Sequence, residues 1–293
     1  MKEFLKLDNK LVIKLKIIPL SPLTIKYSSN DRNDEEKDDT YVAVITTEKN
    51  MRNEKNEKNP WKKLTIEKGS VKDEVRVGEI YIAGSTLKGL FRDRFLTSSK
   101  NNNEYVNNLF GFVEGDKAKK SRLFVQDAFL SDEKLRRLFY TNPKEALKQV
   151  TSLRAITPVD HFSSKAKVPL QYEYTMENFV TELTINNASL KDLQAFYFLI
   201  RDSLNNEIRI GNSKTRGFGL VKFEIEDLKY EQFKSQNDEL KIFEEYFNIN
   251  DKESKKLGDK YINKSLHLKD DFKKVDVENP NKFIIALFEM GVN

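Results

Sequence analysis

"EIRIGNSKTRGFGLVKFEIEDL", residues 207–228, packs three glycines, two basic residues and two hydroxyls into the nine positions from Gly211 to Gly219. A strand-like run follows, in which Val221, Phe223 and Ile225 alternate with Lys222, Glu224 and Glu226. That period of two reads as a half-buried strand. Upstream, "LKDLQAFYFLIRDSL" (190–204) places Leu190, Leu193, Phe196, Tyr197, Ile200 and Leu204 at helical spacing. The loop therefore joins an amphipathic helix to a strand.

The rest of the chain extends this pattern. Residues 151–185 have strand-like ends and a polar, basic middle from Pro158 to Pro169, which reads as a β-hairpin or arm between two core strands. "RLFVQDAFL" (122–130) is a strand; a Leu-Phe-Gly turn and a polar loop precede it, and the short helical pieces "DEKLRRLF" and "PKEALKQV" follow. "GEIYIAGSTLKGLFRDRFL" (78–96) passes from a short strand into a helix with the apolar stripe Leu87, Leu90, Phe91 and Phe95. Ser85 and Thr86 suit its N-cap. Lys88 and Arg92 share another face, so bases fall in the first two turns of a helix whose N-terminal N–H groups attract phosphate. "KLVIKLKIIPLSPLTI" (10–25) alternates Leu11, Ile13, Leu15 and Ile17 with Lys10, Lys14 and Lys16, and Pro19 and Pro22 end this strand.

The order β (10–19), α (86–96), β (122–130), β (178–186), α (190–204), β (219–226) is βαββαβ. The expectation is an α+β, ferredoxin-like (RRM-like) core, with a polar insertion at 28–77 after the first strand and a thumb-like β-hairpin at 151–178 between the middle strands. Residues 1–228 form this domain and 229–293 an extension, packed on the core or against a neighbouring subunit. Within the extension, 231–249 reads as helix, 251–280 as a Lys/Asp-rich loop, and 281–290 as a last strand or core helix.

Bulk properties narrow the chemistry. The 293 residues are 38% hydrophobic and 33% charged, with net charge +5. A mildly basic surface is compatible with nucleic acid. The absence of cysteine excludes disulfides, thiolate nucleophiles and Cys-ligated zinc. His161 and His267 have no metal-ligand spacing. No apolar run reaches the roughly 18 residues of a membrane span, and "MKEFLKLDNK" carries no signal-peptide core. The expected location is cytoplasmic, with no membrane partner.

The glycine-rich loop admits several meanings. A triphosphate-cradling G-x-x-x-x-G-K-[ST] loop precedes a helix, whereas a strand follows here, and a dinucleotide G-x-G-x-x-G fails in the same way. "RGFGLVKF" (216–223) approaches the RNP1 strand of an RNA recognition motif, with Leu220 at an aromatic position. That motif sits on an interior strand of a smaller domain. "IGNSKTRGFGLV" most closely resembles the signature loop of the RAMP superfamily of CRISPR-associated RNA-binding proteins. "LSPLTI", "YIAGSTLKGLFRDRF" and "LFG" followed by "RLFVQDAFL" resemble other segments of that family, in the same order. "RAITPVDHFSSKAKVPLQYEY" resembles the thumb hairpin of type III backbone subunits, with Leu153 where that hairpin carries Asp. The resemblance spans roughly 10–228.

The resemblance implies a role in antiviral defence, as a CRISPR RNA-binding backbone subunit of a type III RNA-guided complex. Partners would be CRISPR RNA, complementary target RNA and other effector subunits, including copies of itself. Gly84, Ser85, Thr86, Lys88 and Arg92, with Gly211, Ser213, Lys214, Thr215, Arg216, Gly217 and Phe218, would hold the guide's sugar–phosphate backbone. The arm would reach across the guide–target duplex, with Arg154, His161, Lys165 and Lys167 contacting RNA and Val159, Phe162 and Val168 as wedges. Cleaving relatives use an Asp after the first strand with a divalent metal, which points to Asp34, Asp38 and Asp39 as catalytic candidates and to Asp34 and Asp39 as Mg²⁺ ligands. Two rival readings stay open: a metal-independent RAMP endoribonuclease processing precursor CRISPR RNA, and a non-catalytic RNA-binding scaffold.

Overall fold

A computed structural model describes residues 7–25, 41–42, 79–98, 103–115, 117–157, 170–233, 255–257 and 261–267, with Ile285 and Phe288 beyond. In chain order the elements are β1 (Asn9–Pro19), β2 (Tyr41–Val42), β3 (Tyr81–Ile82), α1 (Gly84–Ser98), α2 (Asn103–Phe110), β4 (Phe112–Glu114), β5 (Lys117–Lys119), β6 (Leu123–Val125), β7 (Ala128–Leu130), α3 (Glu133–Thr141), α4 (Pro143–Val150), β8 (Ser152–Ile156), β9 (Leu170–Tyr174), β10 (Phe179–Asn186), α5 (Leu190–Leu204), β11 (Val221–Gln232), β12 (Lys255–Leu257) and β13 (Tyr261–His267).

The main sheet runs β12-β13-β11-β1-β10-β7-β3, with β6 also paired to β10, and its pairings are antiparallel. β1 lies at its centre because its alternation is strict. Leu11, Ile13, Leu15 and Ile17 are fully buried, while Lys10, Lys14 and Lys16 fall on the opposite face. β10 repeats the pattern with Phe179, Thr181, Leu183 and Ile185 inward. β11 buries Val221, Phe223 and Ile225, then changes phase and buries Leu228 and Tyr230. A bulge is the cause: Lys14 pairs with Asp227 and Leu15 with Ile225, leaving Glu226 as the extra residue. One added residue reverses which side chains face inward, so both apolar runs reach the same core.

α1 and α5 cover the inner face. Leu87, Phe91 and Phe95 of α1 are fully buried. Phe95 meets Phe196 of α5 and Phe110 of α2 edge-on, with ring centroids at 5.5 and 5.6 Å, and Phe91 meets Phe223 at 6.0 Å. Each such ring contributes on the order of 2–3 kcal/mol by burial. The outer face carries paired charges instead: Lys14–Glu226 at 3.3 Å, Lys222–Glu224 at 3.0 Å and Lys229–Glu231 at 2.8 Å.

Several expectations are revised. The strand expected over 122–130 is two strands, and pairing with β10 slips by one residue between Leu183↔Val125 and Phe179↔Leu130. α1 begins at Gly84, so Ser85 and Thr86 lie inside its first turn and are not its cap. The polar loop after Leu-Phe-Gly forms the hairpin β4–β5. The expected boundary at 228 falls within β11. Part of the expected 251–280 loop is strand, because β13 pairs with β11 from Lys229↔His267 to Gln232↔Lys264. The backbone groups on that side of β11 are thereby paired from Lys229 to Gln232. Of the expected 231–249 helix, Glu231 and Gln232 are strand; 234–249 lies outside the described residues. Ile285 and Phe288 are helical, and Phe288 packs on Tyr197 and Phe198 of α5 at 5.2 and 5.4 Å.

Candidate nucleic-acid interface

The glycine-rich loop closes onto the residues that follow β1. Asn212 N–H donates to the Thr24 carbonyl at 2.8 Å, and Gly219 N–H donates to the Pro22 carbonyl at 2.8 Å. Leu220 N–H donates to Ser21 Oγ at 2.9 Å. Gly211 and Gly219 have φ of +82° and +76°. A Cβ at Gly211 would meet the Thr24 carbonyl oxygen, and one at Gly219 the Ile210 carbonyl oxygen. Both glycines thus let main chain approach main chain. They are not the open, phosphate-facing backbone that the sequence suggests. Gly217 is open: φ is +86° and nothing lies within 4 Å of its missing Cβ. Lys214, Thr215 and Arg216 form an exposed single 3-10 turn between Ser213, itself left-handed at φ +56°, and Gly217.

The base of the β8–β9 hairpin packs against this turn. β8 and β9 pair from Ser152↔Tyr174 to Ile156↔Leu170, and the parallel pairing of Tyr41 with Gln171 adds β2 to β9. Arg216 Nη1 donates to Tyr172 Oη at 2.6 Å. The Tyr172 and Phe218 rings lie 5.5 Å apart, and the Arg154 guanidinium sits 5.2 Å over Phe218. Thr24 Oγ1 donates to the Glu173 carbonyl at 2.8 Å, which ties the segment after β1 to the same hairpin. The structure therefore joins Arg154, Lys214, Thr215, Arg216 and Gly217 into one surface. Phe218 is a correction. It is fully buried, so it supports the turn from beneath and has no face free for a base. Phe218 stands where an RNP1 strand turns an aromatic outward for a base, and it is buried, so the RNA recognition motif reading fails.

α1 forms a second region. Gly84 N–H donates to Asp127 Oδ1 at 2.7 Å, and a Cβ at Gly84 would lie 2.5 Å from the Val125 carbonyl oxygen. The break between β6 and β7 thus turns a carboxylate onto the helix N-terminus, where the helix dipole favours negative charge. A phosphate there would meet Asp127. Lys88 Nζ donates to Ser121 Oγ at 2.9 Å, and Arg92 Nη2 to Asn107 Oδ1 at 2.9 Å. Burial and then the Arg92 cation pull the Lys88 ammonium below the usual lysine range. Ser85 and Arg92 are exposed.

The model of the RAMP superfamily matches residues 16–222, from the middle of β1 through the glycine-rich loop to the first residues of β11. The chain belongs to the RAMP superfamily.

No curated protein matches this RAMP chain significantly. One solved structure similar to it is a cryo-EM structure of the type III-B Cmr-beta bound to cognate target RNA; the TM-score is 0.45, identity is 10%, and the alignment covers 73% of this chain and 96% of that chain. Asp34, Asp38 and Asp39, and at the hairpin tip His161, Phe162 and Lys165 with Val159, Lys167 and Val168, lie outside the described residues. Among the described residues no cluster of three or more His, Asp or Glu is arranged to hold a metal ion. No helix among them is long and apolar enough to cross a membrane.

Two supporting residues of this RAMP surface escape sequence reading. Tyr172 holds Arg216, and Arg209 Nη1 donates to the Phe218 carbonyl at 3.1 Å. Strand pairing of a distant segment brings Tyr172 to the loop, and the local bridge between Arg209 and Leu220 turns Arg209 onto it. Replacing Tyr172 by Phe is expected to cost about 1 kcal/mol, the net worth of one hydrogen bond. Urea denaturation of the two chains checks this; an unchanged midpoint would show that the bond to Arg216 adds nothing.

Proposed function

We propose that this chain is a CRISPR RNA-binding backbone subunit of a type III RNA-guided complex, built on a ferredoxin-like core. Membership of the RAMP superfamily supports this reading, and the strand order β11-β1-β10-β7 with helices α1 and α5 on one face supports the core assignment. The observation that carries the binding role is the exposed turn Lys214–Gly217, held rigid by Tyr172 and by close main-chain contacts. Lys214, Arg216 and Arg154 supply positive charge, and Gly217 leaves the backbone accessible. Phosphate contacts of this kind bind RNA without reading its sequence. The partners are guide RNA, target RNA paired to it, and further effector subunits. The proposed location for this work is the cytoplasm.

The turn is expected to set the salt dependence of binding. A Lys214→Ala/Arg216→Ala variant should lose about 1.4 units from the slope of log K against log salt on single-stranded RNA, two contacts at about 0.7 each. An unchanged slope would remove the turn from the interface.

A second reading, cleavage of guide-paired target RNA, rests on the acidic segment 31–39. Described residues flank it: Ile25 follows Thr24, which is bonded to β9, and Tyr41 pairs with β9 directly. Asp34, Asp38 and Asp39 would be the catalytic set, with Asp34 and Asp39 toward Mg²⁺. Co-expression with a CRISPR array, followed by addition of complementary RNA with Mg²⁺ or EDTA, separates the readings. Regular cuts lost in EDTA and in an Asp34/Asp38/Asp39→Ala variant mark a guided ribonuclease. Cleavage surviving EDTA marks a metal-independent processing enzyme. Retained guide with intact target marks a scaffold. No co-purifying RNA would sink the proposal.

A further inference from the structure

We propose that the β4–β5 hairpin is a second RNA-phosphate contact, continuous with the basic face of α1; the inference rests on the RNA-binding role above. The hairpin follows directly on α2, and Gly111 (φ +78°) makes the turn into it. A Cβ at Gly111 would lie 2.7 Å from Ser121 N and 2.8 Å from the Lys119 carbonyl oxygen, so the base of the hairpin is packed tightly. Lys88 Nζ reaches the same base, donating to Ser121 Oγ at 2.9 Å, two residues from Lys119. Lys88, Lys119 and Lys120 thus lie around one short ladder, with Arg92 beside them through its bond to Asn107 of α2. Register decides which of the hairpin's charges are balanced. Lys117 stands opposite Glu114, whereas Lys119 stands opposite Phe112 and Lys120 leaves the ladder. Both Lys119 and Lys120 are exposed. On the other face of the hairpin Val113, 82% exposed, stands opposite Ala118. A rigid projection with a cationic root and an apolar flank suits a single strand of RNA, which offers phosphates and unstacked base faces together. On the outer sheet face, Lys14, Lys222 and Lys229 are each paired to a glutamate.

The test is binding of the full chain to fluorescent single-stranded RNA across a salt series. Three variants are compared with the parent: Lys119→Ala/Lys120→Ala, Lys214→Ala/Arg216→Ala, and a Lys134→Ala/Lys148→Ala control on exposed faces of α3 and α4. The hairpin variant is expected to lose about 1.4 units of slope, which is about 25-fold in affinity at 0.1 M salt. The control should stay at the parental slope. A hairpin variant with the parental slope overturns the proposal while leaving the Lys214–Gly217 turn in place. An equal loss in the control also overturns it, since diffuse net charge would then be the cause. A parent chain that binds no RNA removes this proposal together with the function on which it rests.

Discussion

A Gly219→Ala chain is expected to populate its native state poorly or not at all. A residue with a Cβ at φ +76° costs about 1–2 kcal/mol from left-handed geometry alone. The larger cost is steric, because the new methyl would occupy the position of the Ile210 carbonyl oxygen. Relief requires pulling the loop apart where Ile210 N–H donates to the Gly219 carbonyl at 2.8 Å and Gly219 N–H donates to the Pro22 carbonyl at 2.8 Å. Leaving such buried groups unpaired costs about 1–3 kcal/mol each. Together these come to about 3–8 kcal/mol, against a total stability of about 5–15 kcal/mol for a domain. Gly217→Ala has the same geometric strain at φ +86° but open space beyond it, so it should lose only about 1–2 kcal/mol. Urea denaturation followed by circular dichroism compares the two. Equal losses would refute the division between a packing glycine and an accessible one.

Asp192→Ala is expected to have the next largest effect. The carboxylate is fully buried at the start of α5. It accepts from Arg122 Nη1 at 3.0 Å, Tyr105 Oη at 3.0 Å and Ser189 N–H at 2.9 Å. Burial, followed by the Asp192 charge, pushes the Tyr105 phenol far above its usual range, so it stays a donor. Removing the carboxylate leaves a guanidinium that is only 20% exposed without its counter-charge, holding the Asn186 and Asn187 carbonyls, and leaves Tyr105 Oη with the Lys191 carbonyl at 3.3 Å. Breaking such a pair costs about 3–5 kcal/mol, a fall in Tm on the order of 10 °C for a domain of this size. Calorimetry on Asp192→Ala and Asp192→Asn checks the assignment. The amide keeps the shape and one acceptor oxygen, but it loses the charge and turns an NH2 donor toward other donors, so it too should lose stability. Wild-type stability in the Ala variant would mean the network is incidental.

What was legible in the sequence was what repeats. The alternation in β1, β10 and β11 and the apolar stripes of α1 and α5 located the core, because a residue's burial there follows from its periodicity. Even the bulge in β11 is written in the sequence, as the change from Ile225 to Leu228 after regular steps of two. Binding residues were legible by type and not by placement. Lys214 and Arg216 stand out as bases in a glycine-rich loop, and both are exposed. Phe218 looks the same on the page but is buried, since its direction depends on Tyr172, forty-six residues earlier. Asp127 at the head of α1 was invisible for a like reason. Its reach to Gly84 exists only because the pairing with β10 slips by one residue. β13 was missed because Lys264 interrupts its apolar alternation between Ile262 and Leu266; the β11 ladder, not side-chain pattern, makes it a strand.

The sheet order ends, among the described residues, in β12 on one side and β3 on the other, strands of three and two residues. Short terminal strands leave few unpaired main-chain groups for a foreign strand to copy. Long strands such as β1 and β11 would be hazardous templates if left at a border; β1 is flanked on both sides, and β11 is flanked by β1 and, from Lys229 to Gln232, by β13. Two copies of this chain meeting along these borders would therefore touch mainly through side chains and loops. Their sheets would remain separate bodies and would not fuse into an extended fibrillar ribbon.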